Sequence, residues 1–164
     1  MNKLLLFCFV FILGIGCKDA PKEAAKTVPA PAPVEQLAPL TNEFFGQYLQ
    51  PVDYVDIVLY HQGFSMNISQ PGSIQSLFSG LTGEAVMPEA SCPAQGRIFF
   101  NSKGQTMTEA DLHFIPNQCA ILVFYIGGKK VYASKLNETG ANIFNNYFAN
   151  AAKMQTDLQQ QQGQ

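Results

Sequence analysis

The chain has no tryptophan, a single arginine (Arg97) and two histidines, and only 13% of its residues are charged. Recognition of a phosphate backbone needs a basic face or stripe. The 10 lysine and arginine residues stand against 12 acidic ones and are scattered, so nucleic acid is not expected as a partner. A zinc site gathers three or four ligands, and sequence spacing usually advertises two of them. No His-x-x-x-His, Cys-x-x-Cys or Asp-rich loop occurs. Gly-x-Ser-x-Gly, a phosphate loop and a dinucleotide fingerprint are missing too, so neither a metal nor a cofactor is expected. What remains for acid–base chemistry is His61, His113, Asp56, Asp111, Glu84, Glu89 and Glu109. Each histidine stands alone, His61 at a strand end and His113 on an outward parity, and both read as surface or internally satisfied side chains. The catalytic inventory is empty. Long apolar runs are also lacking: Leu4–Ile15 is well short of the ~20 residues that span a bilayer as a helix.

What is present begins at the N-terminus. Met1-Asn2-Lys3 supplies a positive start, Leu4–Ile15 an apolar centre, and Gly14-Ile15-Gly16-Cys17 small residues before a cysteine. Lys18-Asp19-Ala20-Pro21 follows, and the composition changes at once. The layout resembles a bacterial lipoprotein signal peptide with its lipobox, although Gly14 stands where leucine is usual. The resemblance implies that residues 1–16 are removed, Cys8 with them, and that the Cys17 thiol carries diacylglycerol. Buried acyl chains contribute ~0.8 kcal/mol per CH₂, and two or more make a stable anchor. The partner of Cys17 is therefore a lipid bilayer. By the same resemblance, Lys18 in place of aspartate directs the protein to the outer membrane of the cell envelope, with the periplasmic side and the cell surface both open.

After the anchor, residues 17–40 read as a tether. Pro21, Pro29, Pro31, Pro33 and Pro39 are interleaved with alanine and a few charges, a composition that buries little and stays semi-extended. Its extended limit is roughly 70 Å. Thirteen phenylalanines and six tyrosines are ample for a packed core, which is assigned to one domain over 41–155. The Gln-rich end, 156–164, is expected to be disordered. Cys92 and Cys119 are the cysteines left in the domain, and in an oxidising compartment an even pair most simply forms a disulfide. Closing that loop is worth about 3–4 kcal/mol in the chain-entropy model. The rival role, Cys92 as a nucleophile assisted by His61 or His113, has no surrounding signature.

Within the domain, Thr41 caps a short helix carrying Phe44, Phe45, Tyr48 and Leu49, which Pro51 stops. Alternation from Val52 to Ile68 predicts one strand, bent near Gly63. Gln70-Pro71-Gly72 reads as a turn, and Ser73 then caps a helix with Ile74, Leu77, Phe78 and Leu81 on one stripe. A meander follows. Arg97–Asn101 pairs with Thr106–Ile115, which is interrupted around Thr108-Glu109, and Pro116-Asn117 forms the centre of a type I turn. Cys119–Ile126 is the sheet centre, and Gly127-Gly128 turns into Val131–Leu136. Ile143, Phe144, Tyr147, Phe148, Ala151 and Met154 line a closing helix. The expected fold is α+β: about five antiparallel strands, ordered strand, helix, four-strand meander and C-terminal helix, with the helices on one face.

Hairpin parity places Leu122, Phe124 and Ile126 with Val131 and Ala133 under the helices. It places Val123 and Tyr125 with Tyr132 and Ser134 on the opposite side. Val123, Tyr125 and Tyr132 are thus the candidate contact surface. The expected function is a membrane-anchored envelope lipoprotein whose small non-catalytic domain binds a protein partner or joins an envelope assembly. The alternative is a small-molecule or carbohydrate binding module; a hydrolase built on His61 or His113 ranks third.

Overall fold

The computed structural model describes residues 37–62 and 65–162. The readings on the signal segment, Cys8, Cys17, Lys18-Asp19 and the proline tract up to residue 36 lie outside them, as does the bend at Gly63. The described elements are β1 (Ala38–Pro39), α1 (Asn42–Phe44) with a π-helical turn (Phe45–Leu49), β2 (Tyr54–Leu59), β3 (Ser65–Ile68) and α2 (Pro71–Ser79). Then come β4 (Ala94–Ser102), β5 (Gln105–Ile115), β6 (Cys119–Ile126), β7 (Lys129–Lys135) and α3 (Glu138–Gln162).

The fold is α+β, but the sheet has seven strands in the order β1-β7-β6-β5-β4-β2-β3. It is mixed, because β1 runs parallel to β7. This corrects the expectation of five antiparallel strands. One added strand comes from 52–68, which doubles back as a hairpin, with Val55 opposite Ile68 and Val58 opposite Ser65. Across the reversal the inward positions change from odd (Val55, Ile57, Leu59) to even (Met66, Ile68), a shift that a reading of one bent strand passes over. The other is β1: Leu37–Leu40, assigned to the tether, belongs to the fold, with Leu37 buried. Pro39 cannot donate to a ladder, and it sits on an edge strand, where that is tolerated.

Smaller differences follow local chemistry. Thr41 does cap α1, its hydroxyl accepting from the Phe44 N–H at 3.1 Å. Helix α2 starts at Pro71, which takes the first helical position after Gln70, in place of a turn before a Ser73 cap. Strand β5 is continuous through Thr108-Glu109, but its pairing with β4 slips just before them: Phe100 opposes Thr108 and Asn101 opposes Thr106, which leaves Met107 as a bulge. Asn117 takes a left-handed φ of 61°, which a type II turn requires and a type I turn does not. Gly127 and Gly128 both have positive φ, as a two-residue hairpin demands. The tail expected to be disordered is helical as far as Gln162.

Directly opposed residues of antiparallel neighbours share a face, so the register sorts the sheet into two sides. Met66, Ile57, Ile98, Ala110, Phe124 and Tyr132 form one inner row. With Phe44, Leu49, Ile74, Leu77 and Phe144 from the helices they make the main core. The helices therefore cover one face. Where α2 ends and α3 begins, the backbones touch: a Cβ on Gly80 would stand 2.6 Å from the Gly140 Cα. Asn137 ties the junction, its side chain donating to the Ser79 carbonyl at 2.8 Å and accepting from the Gly140 N–H at 3.1 Å.

Candidate functional site

The outer face of the sheet is half covered. One row crosses it through Ser65, Val58, Arg97, Asp111, Val123 and Ala133. At its β6–β7 end, Leu37 and Val86 lie over Ile121, Val123 and Ala133 and bury them as a second, smaller core. Val86 belongs to a strap, residues 82–93, that runs beside β7. The strap is held there by Thr82 N–H to the Lys135 carbonyl (3.0 Å) and Lys135 N–H to the Glu84 carbonyl (3.2 Å). Its far end is tied by the Cys92–Cys119 disulfide, with 6.4 Å between the Cα atoms. The buried His113 imidazole donates from Nδ1 to the Cys92 carbonyl at 2.7 Å. The cysteines thus join as the sequence led us to expect, and the bond they form fastens a cover over one half of the sheet.

At the β2–β4 end nothing among the described residues covers the row. Val58 is 38% exposed and Tyr60 47%, with Tyr54 and Phe99 half-buried beside them. Between the two halves sits a polar knot centred on Asp111, which is 6% exposed. Arg97 donates to its Oδ1 from Nε (3.1 Å) and Nη2 (2.8 Å), and the Tyr125 hydroxyl donates to Oδ2 at 2.5 Å. Lys130 Nζ is 3.7 Å from Oδ2, and the Tyr60 hydroxyl 3.4 Å from Oδ1. Arg97 also reaches Glu109 at 3.1 Å through Nη1, and its guanidinium lies 4.6 Å from the centre of the Tyr125 ring. A planar fork held by two carboxylates and stacked on an aromatic ring has little freedom left.

These contacts set the ionisation of the cluster. Burial alone would raise the Asp111 carboxyl, but the hydrogen bonds from Tyr125 and Arg97 and the nearby positive charges outweigh it and lower the pKa. Burial and the Asp111 carboxylate push the Tyr125 hydroxyl up to about 12. Burial and the same carboxylate also raise Tyr60. The Asp111 hydrogen bond holds the Arg97 guanidinium in its charged form far into alkali. Across neutral pH Asp111 and Arg97 therefore stay charged, and Tyr60 and Tyr125 stay neutral.

The sequence-derived contact set does not hold together. Val123 faces outward but lies under Leu37 and Val86. Tyr125 is half-buried in the polar knot. Tyr132 is on the opposite side: it pairs with Phe124, packs on the main core and meets the Phe44 ring at 4.8 Å. The cause is a bulge in β7. The hairpin starts in the expected register, Ile126 with Lys129 and Tyr125 with Lys130, and then slips, so Val131 is unpaired and Tyr132 meets Phe124. One extra residue inverts the parity beyond it. Ala133, placed under the helices by that parity, is in the outer cluster for the same reason.

Of the acid–base candidates, only Asp111 and Glu109 are brought together, through Arg97. His61 is exposed in the turn after β2, Asp56 accepts from Asn101 at 3.5 Å, and Glu89 accepts from Ser91 at 3.2 Å. The Glu84 carbonyl pairs with Lys135. The Asp111 oxygens are taken by Arg97, Tyr60, Tyr125 and Lys130, and His113 Nδ1 by a backbone carbonyl, so no hydrogen bond couples this carboxylate to an imidazole. Among the described residues, no group of three or more His, Cys, Asp or Glu is placed to hold a metal. What the arrangement offers chemically is a rigid arginine among exposed apolar and tyrosine side chains. Sequence reasoning missed Val58, Tyr60, Arg97 and Phe99. The polar alternation of 54–60 and the lone arginine opposite it were the available signals. No protein-family model, curated protein or solved structure matches the chain.

Proposed function

We propose that this chain is a lipid-anchored protein of the bacterial cell envelope, acylated at Cys17, whose domain binds a protein partner through the open half of its outer sheet face. The observation that carries the contact half of this reading is the immobilised Arg97 flanked by exposed Val58 and Tyr60 and half-buried Phe99. Protein interfaces are enriched in tyrosine, phenylalanine and arginine, and their energy concentrates in side chains already held in place. Asp56, Glu109 and Lys130 lie around this patch, a polar rim about an apolar centre. The lipidation half rests on the residues around Cys17.

The two halves are tested separately. Feeding cells an alkyne-labelled fatty acid should label the wild-type chain, and Cys17→Ser should abolish the label and leave uncleaved precursor. Unchanged labelling in the variant would refute the anchor. For the contact, a protein that copurifies with wild type at fixed stoichiometry should be lost with Val58→Asp and retained with Gln105→Asp, exposed at the start of β5. Equal recovery with both variants would refute the assignment of the face.

A further inference from the structure

A second surface, independent of the open sheet face, carries its own chemistry. A groove of about 760 Å³ lies where the strap, the β5–β6 turn and the first turns of α3 meet, within the range of small-ligand sites. Its accessible apolar lining on the helix side is Ala120 and Ala141, since Phe114 and Ile121 are buried and face opposite sides of the sheet. Its walls carry four carboxamides, Asn117 and Gln118 from the turn, Asn142 and Asn145 from the helix. None of the four side chains makes a hydrogen bond to another described residue. The Asp111 knot differs, because there the carboxylate oxygens and the guanidinium are already engaged.

We propose that this groove binds a neutral saccharide. A carboxamide presents a donor and an acceptor side by side, which matches hydroxyl groups that both donate and accept. The small apolar surface of Ala120 and Ala141 suits the C–H groups of a sugar ring. Asn142 and Asn145 are three residues apart on one helix, a rise of about 4.5 Å, comparable with the span of one ring. Glu89 and Glu138 stand at the rim against the single Lys135, a balance that discourages an anion. An extended peptide would be captured best along a free strand edge, and the walls here are a turn, a helix and a strap. The groove is also preorganised, since the disulfide and the His113–Cys92 hydrogen bond tie the strap wall to the sheet. Fixed walls lower the ordering cost of binding.

The test uses the full chain in a detergent without a sugar headgroup. Saturation-transfer NMR and titration calorimetry are run with maltotriose, with tri-N-acetylchitotriose and with an uncharged tetrapeptide. At least one of the two sugars should show saturation transfer. In the double variant Asn142→Ala/Asn145→Ala its Kd should rise tenfold or more. Asn146→Ala, exposed on the same helix and outside the groove, should leave it unchanged. Three results would overturn the proposal: no transfer to either sugar, equal affinity in the double variant and wild type, or binding of the peptide alone. Far-ultraviolet circular dichroism of the double variant distinguishes a lost site from a lost fold. If the double variant is unfolded, Asn117→Ala/Gln118→Ala on the turn replaces it, with the same outcomes.

Discussion

Asp111 and Tyr125 are joined by a 2.5 Å hydrogen bond although they do not oppose each other: Asp111 faces Val123 across the ladder, and Tyr125 faces Glu109. The diagonal contact lets one carboxylate hold both Tyr125 and, from the other neighbouring strand, Arg97. Three central strands are therefore cross-linked by polar contacts at the line where the covered half of the outer face meets the open half. A packing defect here reaches both the second core and the proposed contact surface.

Asp111 should contribute an acid-sensitive part of the stability. Its folded pKa lies below the unfolded value of ~3.9. The stabilisation is thus fully present above that value and is lost as the pH falls through the folded pKa. Denaturant titrations from pH 7 to pH 2 should show Asp111→Asn about 2 kcal/mol less stable than wild type at pH 7, since it loses charge-assisted hydrogen bonds. The two curves should converge in acid. Parallel curves would remove the carboxylate from the account.

Tyr125 behaves in the opposite sense. Its hydroxyl titrates near 12 in the folded chain, against ~10 unfolded. The neutral phenol is the form that fits, so its contribution is complete below pH ~10 and disappears as the pH rises through about 12. In Tyr125→Phe the alkaline loss of stability should be shallower, and the absorbance step near pH 12 should vanish from the phenolate titration. An unchanged step would mean that the hydroxyl is not held by Asp111.

The disulfide should matter both to global stability and to the strap. Cys92→Ser/Cys119→Ser should cost about 3 kcal/mol through the unfolded chain. Amide exchange should also accelerate at Val86, Val123 and Ala133, where the strap covers the second core. Loss of stability with exchange unchanged at those amides would limit the bond to an unfolded-state effect.

Gly80 is required by the approach of α2 to α3. Its replacement by alanine puts a methyl group 2.6 Å from the Gly140 Cα, a backbone contact that must open. A loss of about 1–3 kcal/mol is expected, whereas Gly72→Ala, with nothing within 4 Å, should be tolerated. Equal stability of the two variants would contradict the close packing of these helices.

Much of the fold was legible because it follows local rules. The Thr41 cap, the Gly127-Gly128 turn, the apolar stripe of α3 from Ile143 to Ala151 (Met154, expected on it, is exposed) and the pairing of Cys92 with Cys119 each depend on nearby side chains or simple parity. Three features were hidden for physical reasons. The slip at Val131 is one unpaired residue with no signature, yet it moves Tyr132 to the other face. A two-residue strand such as Ala38–Pro39 shows no period, because it exists through its pairing with β7. The reversal between β2 and β3 moves the inward positions from odd to even, a one-residue shift that reads as a bend. The open patch was obscured in turn, since Val58, Tyr60, Arg97 and Phe99 meet only once β2 and β4 are known to be neighbours.

The central claim is that the open half of the outer face is where the partner binds. A photo-crosslinking residue placed at Val58 in the full chain, with controls at Gln105 and at Ser76 on the exposed side of α2, tests it most directly in living cells. The account predicts one dominant adduct at Val58, absent at both controls and abolished by Tyr60→Ser on the same chain. No adduct at Val58, or the same adduct at all three positions, would contradict it.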